Sequence, residues 1–349
     1  MTTTIAFFNN KGGVGKTTLV YHFAHILADL GHRVLLLDLD PQSNLTAMCL
    51  GEEQLEEIWP DSAEHPMSIL GCLRPIIRGI GDIADPRTTA LNDRIALVPG
   101  DLGLSTFEDK LSDAWPRAMD GDESAFRTLS AFHRAARRAA AIEGPFDLVV
   151  IDVGPNLGAI NRAVLLATDF VVTPLAPDLF SIQGLRNLGP TLAGWRRNWA
   201  DRLERNPDPT LDLPQGRARP LGYVVMQAGM RLSRPVRAYE KWVERLPGEY
   251  SRSMLAQSAV PPDFSADPAC LGVMRHYQSL MPLAQDAQRP MFHLRPADGA
   301  IGAHMDAVRR CGDDFRLLAK TILSRIQSLE TDNKKAHTGL RVSGNPSSY

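Results

Sequence analysis

The residues best suited to chemistry lie within the first twenty positions, in Lys11-Gly12-Gly13-Val14-Gly15-Lys16-Thr17-Thr18. Small residues allow backbone N–H groups to close around phosphate oxygens, and Gly12, Gly13 and Gly15, with Val14 between them, meet that need. A helix starting near Lys16 would aim its positive end at the same anion. Lys16 then supplies a point charge to the β- and γ-phosphates, the Thr17 hydroxyl is placed to ligate Mg²⁺, and Thr18 can donate one hydrogen bond more. The general pattern G-x-x-x-x-G-K-[ST] has glycine where this chain has Asn10. In exchange, Lys11 stands directly before the paired glycines, where a second lysine is redundant within one subunit.

Three carboxylates end apolar runs. Asp38 and Asp40 follow Val34-Leu35-Leu36-Leu37, and Asp152 follows Leu148-Val149-Val150-Ile151. Acidic groups at such strand ends can hold Mg²⁺ through waters or orient an attacking water. One of the first two could instead cap the next helix, because Pro41 follows and Asp is a good N-cap. An unpaired carboxylate at the end of a buried strand is costly, and a Mg²⁺ hydration shell accounts for Asp152.

The elements that must position these groups read as follows. Thr3 to Phe8 is a short strand. Leu19, Val20, Phe23, Ile26, Leu27 and Leu30 then recur at helical spacing, and Gly31 stops the helix. Val34 to Leu37 is an apolar run without polar alternation, as in a parallel sheet covered on both faces. Ile95–Val98, Leu148–Ile151, Phe170–Val172 and Tyr223–Val225 repeat this grammar, with helical patterns such as Ala125 to Ile142 and Ala159 to Leu166 between them. The expectation is an α/β fold with a doubly wound, mostly parallel sheet flanked by helices, and a ligand beyond the carboxyl ends of its strands.

A single domain over residues 1–329 is expected, with insertions near 52–92, 202–219 and 261–296. The last two are punctuated by proline and read as irregular. A terminal amphipathic helix carries Met305, Val308, Phe315, Leu318 and Ile322, and residues 330–349 read as a disordered polar tail. The net charge of -2 over 349 residues advertises no overall basic field. Cys49, Cys72, Cys270 and Cys311 form no C-x-x-C pair, so neither a zinc ribbon nor a disulfide framework is expected. No apolar stretch reaches the ~18 residues of a membrane span, and the expected location is the cytoplasm.

The chain resembles the ParA/MinD superfamily of deviant Walker A ATPases. Asn10 to Thr18 is similar to the family's phosphate loop. Leu36-Leu37-Asp38-Leu39-Asp40-Pro41-Gln42-Ser43-Asn44-Leu45-Thr46 is similar to its Walker A′ segment, and Phe146 to Asp152 with Gly154-Pro155 to its Walker B. Thr173-Pro174-Leu175-Ala176-Pro177-Asp178 with Gly184-Leu185 resembles the segment that follows. The match covers about the first half of the chain, to Leu185, and departs where Gly154-Pro155-Asn156 replaces Pro-Pro-Ser.

The resemblance implies a deviant P-loop NTPase fold, ATP and Mg²⁺ as ligands, and ATP hydrolysis that is slow without a partner. It gives Lys11 a reach across the dimer to the partner's ATP, Asp40 the positioning of water, and Asp38 and Asp152 places near the metal beside Thr17. Adenine is expected near Pro177, Asp178 and Met226-Gln227. Expected partners are a second copy in the ATP state, a protein activator or cargo adaptor, and nonspecific DNA, with nucleoid association as a consequence. Candidate DNA contacts are Arg231, Arg234, Arg237, Arg309, Arg310 and Arg316, although Asp313 and Asp314 interrupt the second cluster. A basic membrane-targeting helix of the MinD kind is not expected at the polar C-terminus. The implied role is DNA or plasmid partitioning or cargo positioning. The alternative is a regulatory ATPase switch in a conjugation or defence system, with no DNA track.

Overall fold

The computed structural model describes residues 2–342 except 63, 227–240, 259–260, 262–265 and 278, and of residues 332–342 it describes the backbone alone. Apolar runs form the strands β1 (Thr3–Phe7), β2 (Val34–Asp38), β3 (Thr89–Asn92), β4 (Ile95–Val98), β5 (Leu148–Asp152), β6 (Phe170–Leu175), β7 (Arg219–Met226) and β8 (Cys270–Met274). They pair in the order β3-β4-β2-β5-β1-β6-β7-β8. Every pairing is parallel except β3 with β4. The chain works outward from β1 in one direction and later in the other. A crevice therefore opens at the carboxyl end of β1, between its neighbours β5 and β6.

Successive residues of each central strand enter opposite cores. Ile5, Phe7, Val34, Leu36, Val150 and Val172 pack into one cluster, and Ala6, Leu35, Leu37, Val149, Ile151 and Val171 into the other. Each fully buried Leu, Val or Phe side chain contributes about 1.5–3 kcal/mol. The doubly wound sheet is thus as expected, for the reason expected: strands buried on both faces carry no polar alternation.

The flanking helices are α1 (Lys16–Asp29), α2 (Asn44–Cys49), α3 (Glu52–Ile58), α4 (Ile69–Arg78), α5 (Phe107–Arg117), α6 (Glu123–Leu129), α7 (Ala131–Glu143), α8 (Ala159–Leu166), α9 (Leu179–Leu203), α10 (Leu246–Met254), α11 (Met281–Asp286) and α12 (Ala303–Val342). The pattern from Ala125 to Ile142 is two helices rather than one. They part at Ser130, whose hydroxyl bonds back to the Phe126 carbonyl at 2.7 Å and accepts Arg134 Nε at 3.0 Å.

Residues 52–92 hold α3, α4 and β3, and residues 261–296 hold β8 and α11, so both stretches build regular structure. The proline-rich stretch between Leu203 and Arg219 forms neither helix nor strand, and Trp199 Nε1 donates to the Pro214 carbonyl at 2.8 Å. The segment expected as a polar tail is described only in part. Helix α12 continues past Glu330 to Val342. Once a turn exists, propagation adds one hydrogen bond per residue fixed, so the packed stretch before Glu330 carries the helix on through polar residues. Residues 343–349 lie outside the described part. All four cysteines are free, and no helix among the described residues is long and apolar enough to cross a membrane.

Candidate phosphate site

The loop from Asn9 to Gly15 joins β1 to α1 at the crevice. Gly13 at φ 71° and Gly15 at φ 84° adopt left-handed backbone that side chains resist. Asn9 is buried; its amide donates to the Pro174 carbonyl at 2.7 Å, and its oxygen accepts Lys11 N–H at 3.0 Å. This ties the loop to the end of β6. Asn10, where the general loop has glycine, faces Gly184 of α9. A Cβ at Gly184 would stand 2.6 Å from Asn10 Oδ1. The glycine missing from the loop is therefore matched by one on the helix behind it.

Lys16 opens α1 and is 7% exposed. Burial lowers its pKa, while Asp152 and Asp40 oppose that shift. Thr17 Oγ1 donates to Asp152 Oδ2 at 2.7 Å. Asp152 is fully buried, and its Oδ1 has no hydrogen-bond partner among the described residues. Burial, reinforced by Asp38 and partly offset by Thr17 and Lys16, pushes the carboxyl up to about 8. A buried oxygen without a donor and a hydroxyl beside it fit a hydrated divalent cation, and the Lys16 ammonium fits the phosphate anion that such a cation accompanies. Among the described residues no group of three or more His, Cys, Asp or Glu forms a metal cage. Mg²⁺ needs none, because it keeps several waters and takes further oxygens from phosphates.

Asp38 pairs in register with Asp152 but is used differently. Its Oδ2 accepts Thr46 N–H at 2.8 Å and Thr46 Oγ1 at 2.7 Å, and its Oδ1 accepts Asp40 N–H at 3.3 Å. Its partners are in α2 and the loop, so these bonds brace the two together, while the N-cap position of α2 is Ser43. Asp40 is 7% exposed, accepts Gln42 N–H at 3.0 Å and faces the cavity. A Cβ on Gly154, in the loop after β5, would come 3.2 Å from Asp40 Oδ1.

Among the described residues a cavity of about 600 Å³ is lined by Gly12, Gly13, Gly15, Lys16, Thr17 and Thr18, with Asp40 and Pro155 opposite. That size suits a cofactor-sized ligand. Its outer wall was not anticipated from the sequence. It is formed by Tyr21, Met48, Met281, Gln285, Gln288 and Arg289. His22 ties this wall to α1. Its Nδ1 lies 2.7 Å from the Thr18 carbonyl, and its Nε2 accepts Met291 N–H at 3.0 Å. Complete burial lowers its pKa to about 4, so the ring is neutral and Nδ1 is the donor. No sequence pattern flags His22, because its partners are four and 269 positions away.

Pro177 and Asp178 do not line the cavity. Asp178 caps α9, accepting Ser181 N–H at 2.9 Å, and is ion-paired with Lys11. Burial alone would raise the Asp178 pKa, but the bonds from Lys11 and Ser181 bring it below the ordinary value. Lys11 also stands 5.7 Å from the exposed Phe180 ring and is turned away from its own cavity. Gln227 lies outside the described residues, as do Arg231, Arg234 and Arg237. Met226 remains close, with Cε 3.4 Å from a Cβ position at Gly15. Arg309 and Arg316 are exposed or nearly so, and each pairs with an acid on its own helix, Asp306 at 3.6 Å and Asp313 at 3.3 Å.

A family model described as an AAA domain matches residues 2–204, more than half of the chain. The chain belongs to this family, in the ParA/MinD superfamily. It is 30% identical over 184 residues to the sporulation initiation inhibitor protein Soj of Bacillus subtilis, a match spanning 53% of this chain and 62% of Soj. The chain thus covers less than two-thirds of that relative. A solved protein of Corynebacterium diphtheriae is 27% identical, with a TM-score of 0.67 over 93% of this chain and 98% of that one. The structure of pNOB8 ParA bound to nonspecific DNA shares the fold, at 20% identity and a TM-score of 0.55 over 94% of this chain and 99% of the other. The ParA superfamily relationship expected from the four motifs stands, and with it a family of partition and positioning ATPases.

Proposed function

We propose that this chain is an ATP-dependent dimerising ATPase, a nucleotide switch that serves DNA or plasmid partitioning or cargo positioning, with hydrolysis stimulated by a partner protein. The observation that carries the reading is the division of labour between two lysines. Lys16 lines the cavity as the phosphate lysine, whereas Lys11, five residues earlier, is held outside it on Asp178. A cation kept at the rim of one site is placed to serve another. In this reading ATP-bound copies meet face to face, and Lys11 leaves Asp178 for the partner's phosphates, where it neutralises charge as an arginine finger does.

Thr17 and Asp152 hold Mg²⁺ beside the phosphates, and the ion supplies neutralisation of the charge on the transferred group. Asp40, at the cavity wall against Gly154, positions the attacking water. Asp38 holds the loop that carries Asp40. The backbone N–H groups of Gly12 to Thr18 bind the phosphates at the start of α1. Adenine occupies the side of the cavity between Met226 and the wall formed by Met281 to Arg289.

The mass of the Asp40→Ala chain in solution, with and without ATP and Mg²⁺, tests the reading. A dimer with ATP alone is expected; one mass under all conditions contradicts it. A regulatory switch without a DNA track is favoured by one observation, the pairing of Arg309 and Arg316 with acids on their own helix. Binding of the ATP form to unrelated duplexes should appear at low salt and fall steeply as salt rises. Its absence at low salt would select the regulatory reading.

A further inference from the structure

The segment from Gly100 to Glu108 joins β4 to α5 and touches both loops that close the hydrolytic side of the cavity. At its first end, Gly100 N–H donates 2.7 Å to Thr46 Oγ1, the hydroxyl that holds Asp38. Space there is closed: a Cβ at Gly100 would lie 2.8 Å from Asp38 Cγ. At its other end, Glu108 of α5 places its carboxylate on the N-terminus of α8, accepting N–H from Ala159 and, at 2.9 Å, from Ile160. A carboxylate in that position satisfies two helix-end donors and complements the helix dipole. Helix α8 follows the loop Val153–Gly158, which carries Gly154 against Asp40 and Pro155 into the cavity.

That loop is tied at its far end by the same unit. Asn161 of α8 donates to the Gly154 carbonyl at 2.8 Å and to the Asn156 carbonyl at 2.6 Å. A second link between the helices comes from Arg162 of α8, whose guanidinium stacks 4.1 Å from the Trp115 ring of α5. A side chain at Gly158 would displace the Glu108 carboxylate. The backbone there is extended at φ -77°, but a Cβ would stand 2.5 Å from Glu108 Oε1.

We propose that Glu108 is a positioning residue for ATP hydrolysis. Through α8 and Asn161 it fixes the loop that backs Asp40, while Gly100 on the same segment fixes the loop that carries Asp40. The inference rests on the ATPase reading above. Glu108 touches no substrate. Its effect is on where the attacking water is held, and therefore on turnover rather than on nucleotide affinity.

The test uses the full chain and its Glu108→Ala, Glu108→Gln and Gly158→Ala variants, with three readouts. These are ATP turnover, affinity for a fluorescent ATP analogue, and amide exchange across residues 154–162. Glu108→Ala is expected to lower turnover about tenfold or more, as small misplacements of reacting groups do, with affinity within about threefold of the parent. Exchange at Ala159 and Ile160 should speed up. Glu108→Gln should fall between, because its single carbonyl oxygen can replace only part of the carboxylate. Gly158→Ala should reproduce Glu108→Ala by displacing that carboxylate with the residue intact. Parental turnover in Glu108→Ala overturns the proposal, and so does a loss of affinity in step with turnover. If the parent chain turns over no ATP, the ATPase reading fails and the hydrolytic role of Glu108 fails with it. Exchange at Ala159 then still decides whether the tether exists.

Discussion

Asp38 and Asp152 end neighbouring strands in the same register, both fully buried, and the chain treats them in opposite ways. Asp38 is enclosed by donors from Thr46 and the Asp40 backbone. Asp152 has one donor, Thr17, and a second oxygen with none among the described residues. A buried carboxylate that is satisfied holds a structure together; one left short of donors is a place for a cation that arrives later. The difference is between a carboxylate already satisfied and one with an oxygen to spare, although both residues read alike as acids at the ends of apolar runs.

The largest break in that comparison should come from Asp152→Asn. Turnover is expected to fall about a hundredfold or more, the scale of losing a group that stabilises transition-state charge. The ligand-free chain should meanwhile melt at a higher temperature above pH 7, because a buried carboxylate without enough donors has been removed. Thermal melts and steady-state rates on one preparation check both halves. Loss of turnover together with lower stability would make Asp152 a second brace.

Thr46→Val tests the other side. It removes a donor from Asp38 and the acceptor for Gly100 N–H, and should cost about 1–3 kcal/mol of stability. Denaturant unfolding measures this, and a change under ~0.5 kcal/mol would end the brace assignment.

A pH series sharpens the same contrast. Below about pH 4 Asp152 is protonated in both folded and unfolded chains. Between there and its folded value of about 8 the unfolded chain releases the proton that the folded chain keeps. Stability from this group therefore falls as pH rises through that window, by up to about 1.4 kcal/mol per pH unit. Asp38, raised to about 6 by burial, acts in the same sense over a shorter range. His22, lowered to about 4, acts in the opposite sense, costing stability as pH falls below about 6.5. Melting temperatures from pH 5.5 to 8.5 should decline on the alkaline side in the parent and decline less in Asp152→Asn.

The smallest effect is expected at Asp178→Asn, which keeps the cap on Ser181 and removes the charge facing Lys11. The pair is partly exposed and is worth no more than about 1 kcal/mol. Freed of it, the chain should dimerise with ATP at a protein concentration a few-fold lower. An unchanged midpoint would mean that Lys11 is not held back by Asp178.

The part of the site formed by neighbours in sequence was legible. Gly12 to Thr18 declares itself because backbone and side chains act within one turn of chain, and Asp38, Asp40 and Asp152 because each ends an apolar run. The sheet was legible for the same reason, except at β3 and β8. Thr89–Asn92 carries alternate exposed residues, and Cys270–Met274 is interrupted by Gly272 and only partly buried. What the sequence could not show was contact across long separations. His22 meets Met291, Glu108 meets Ile160, and Lys11 meets Asp178 only once the sheet is assembled. The wall from Met281 to Arg289, far in sequence from the Pro177 and Asp178 expected near adenine, was hidden on the same ground.

In the proposed dimer Lys11 serves the partner's nucleotide. Mixing Lys11→Ala chains with Asp40→Ala chains tests it most directly. Each variant alone should be without turnover. In a mixed dimer the Lys11→Ala subunit keeps its own Asp40 and receives Lys11 from its Asp40→Ala partner, which restores one complete site. Turnover should return on mixing and depend on protein concentration; a mixture as inactive as either variant alone would mean that Lys11 does not act in trans.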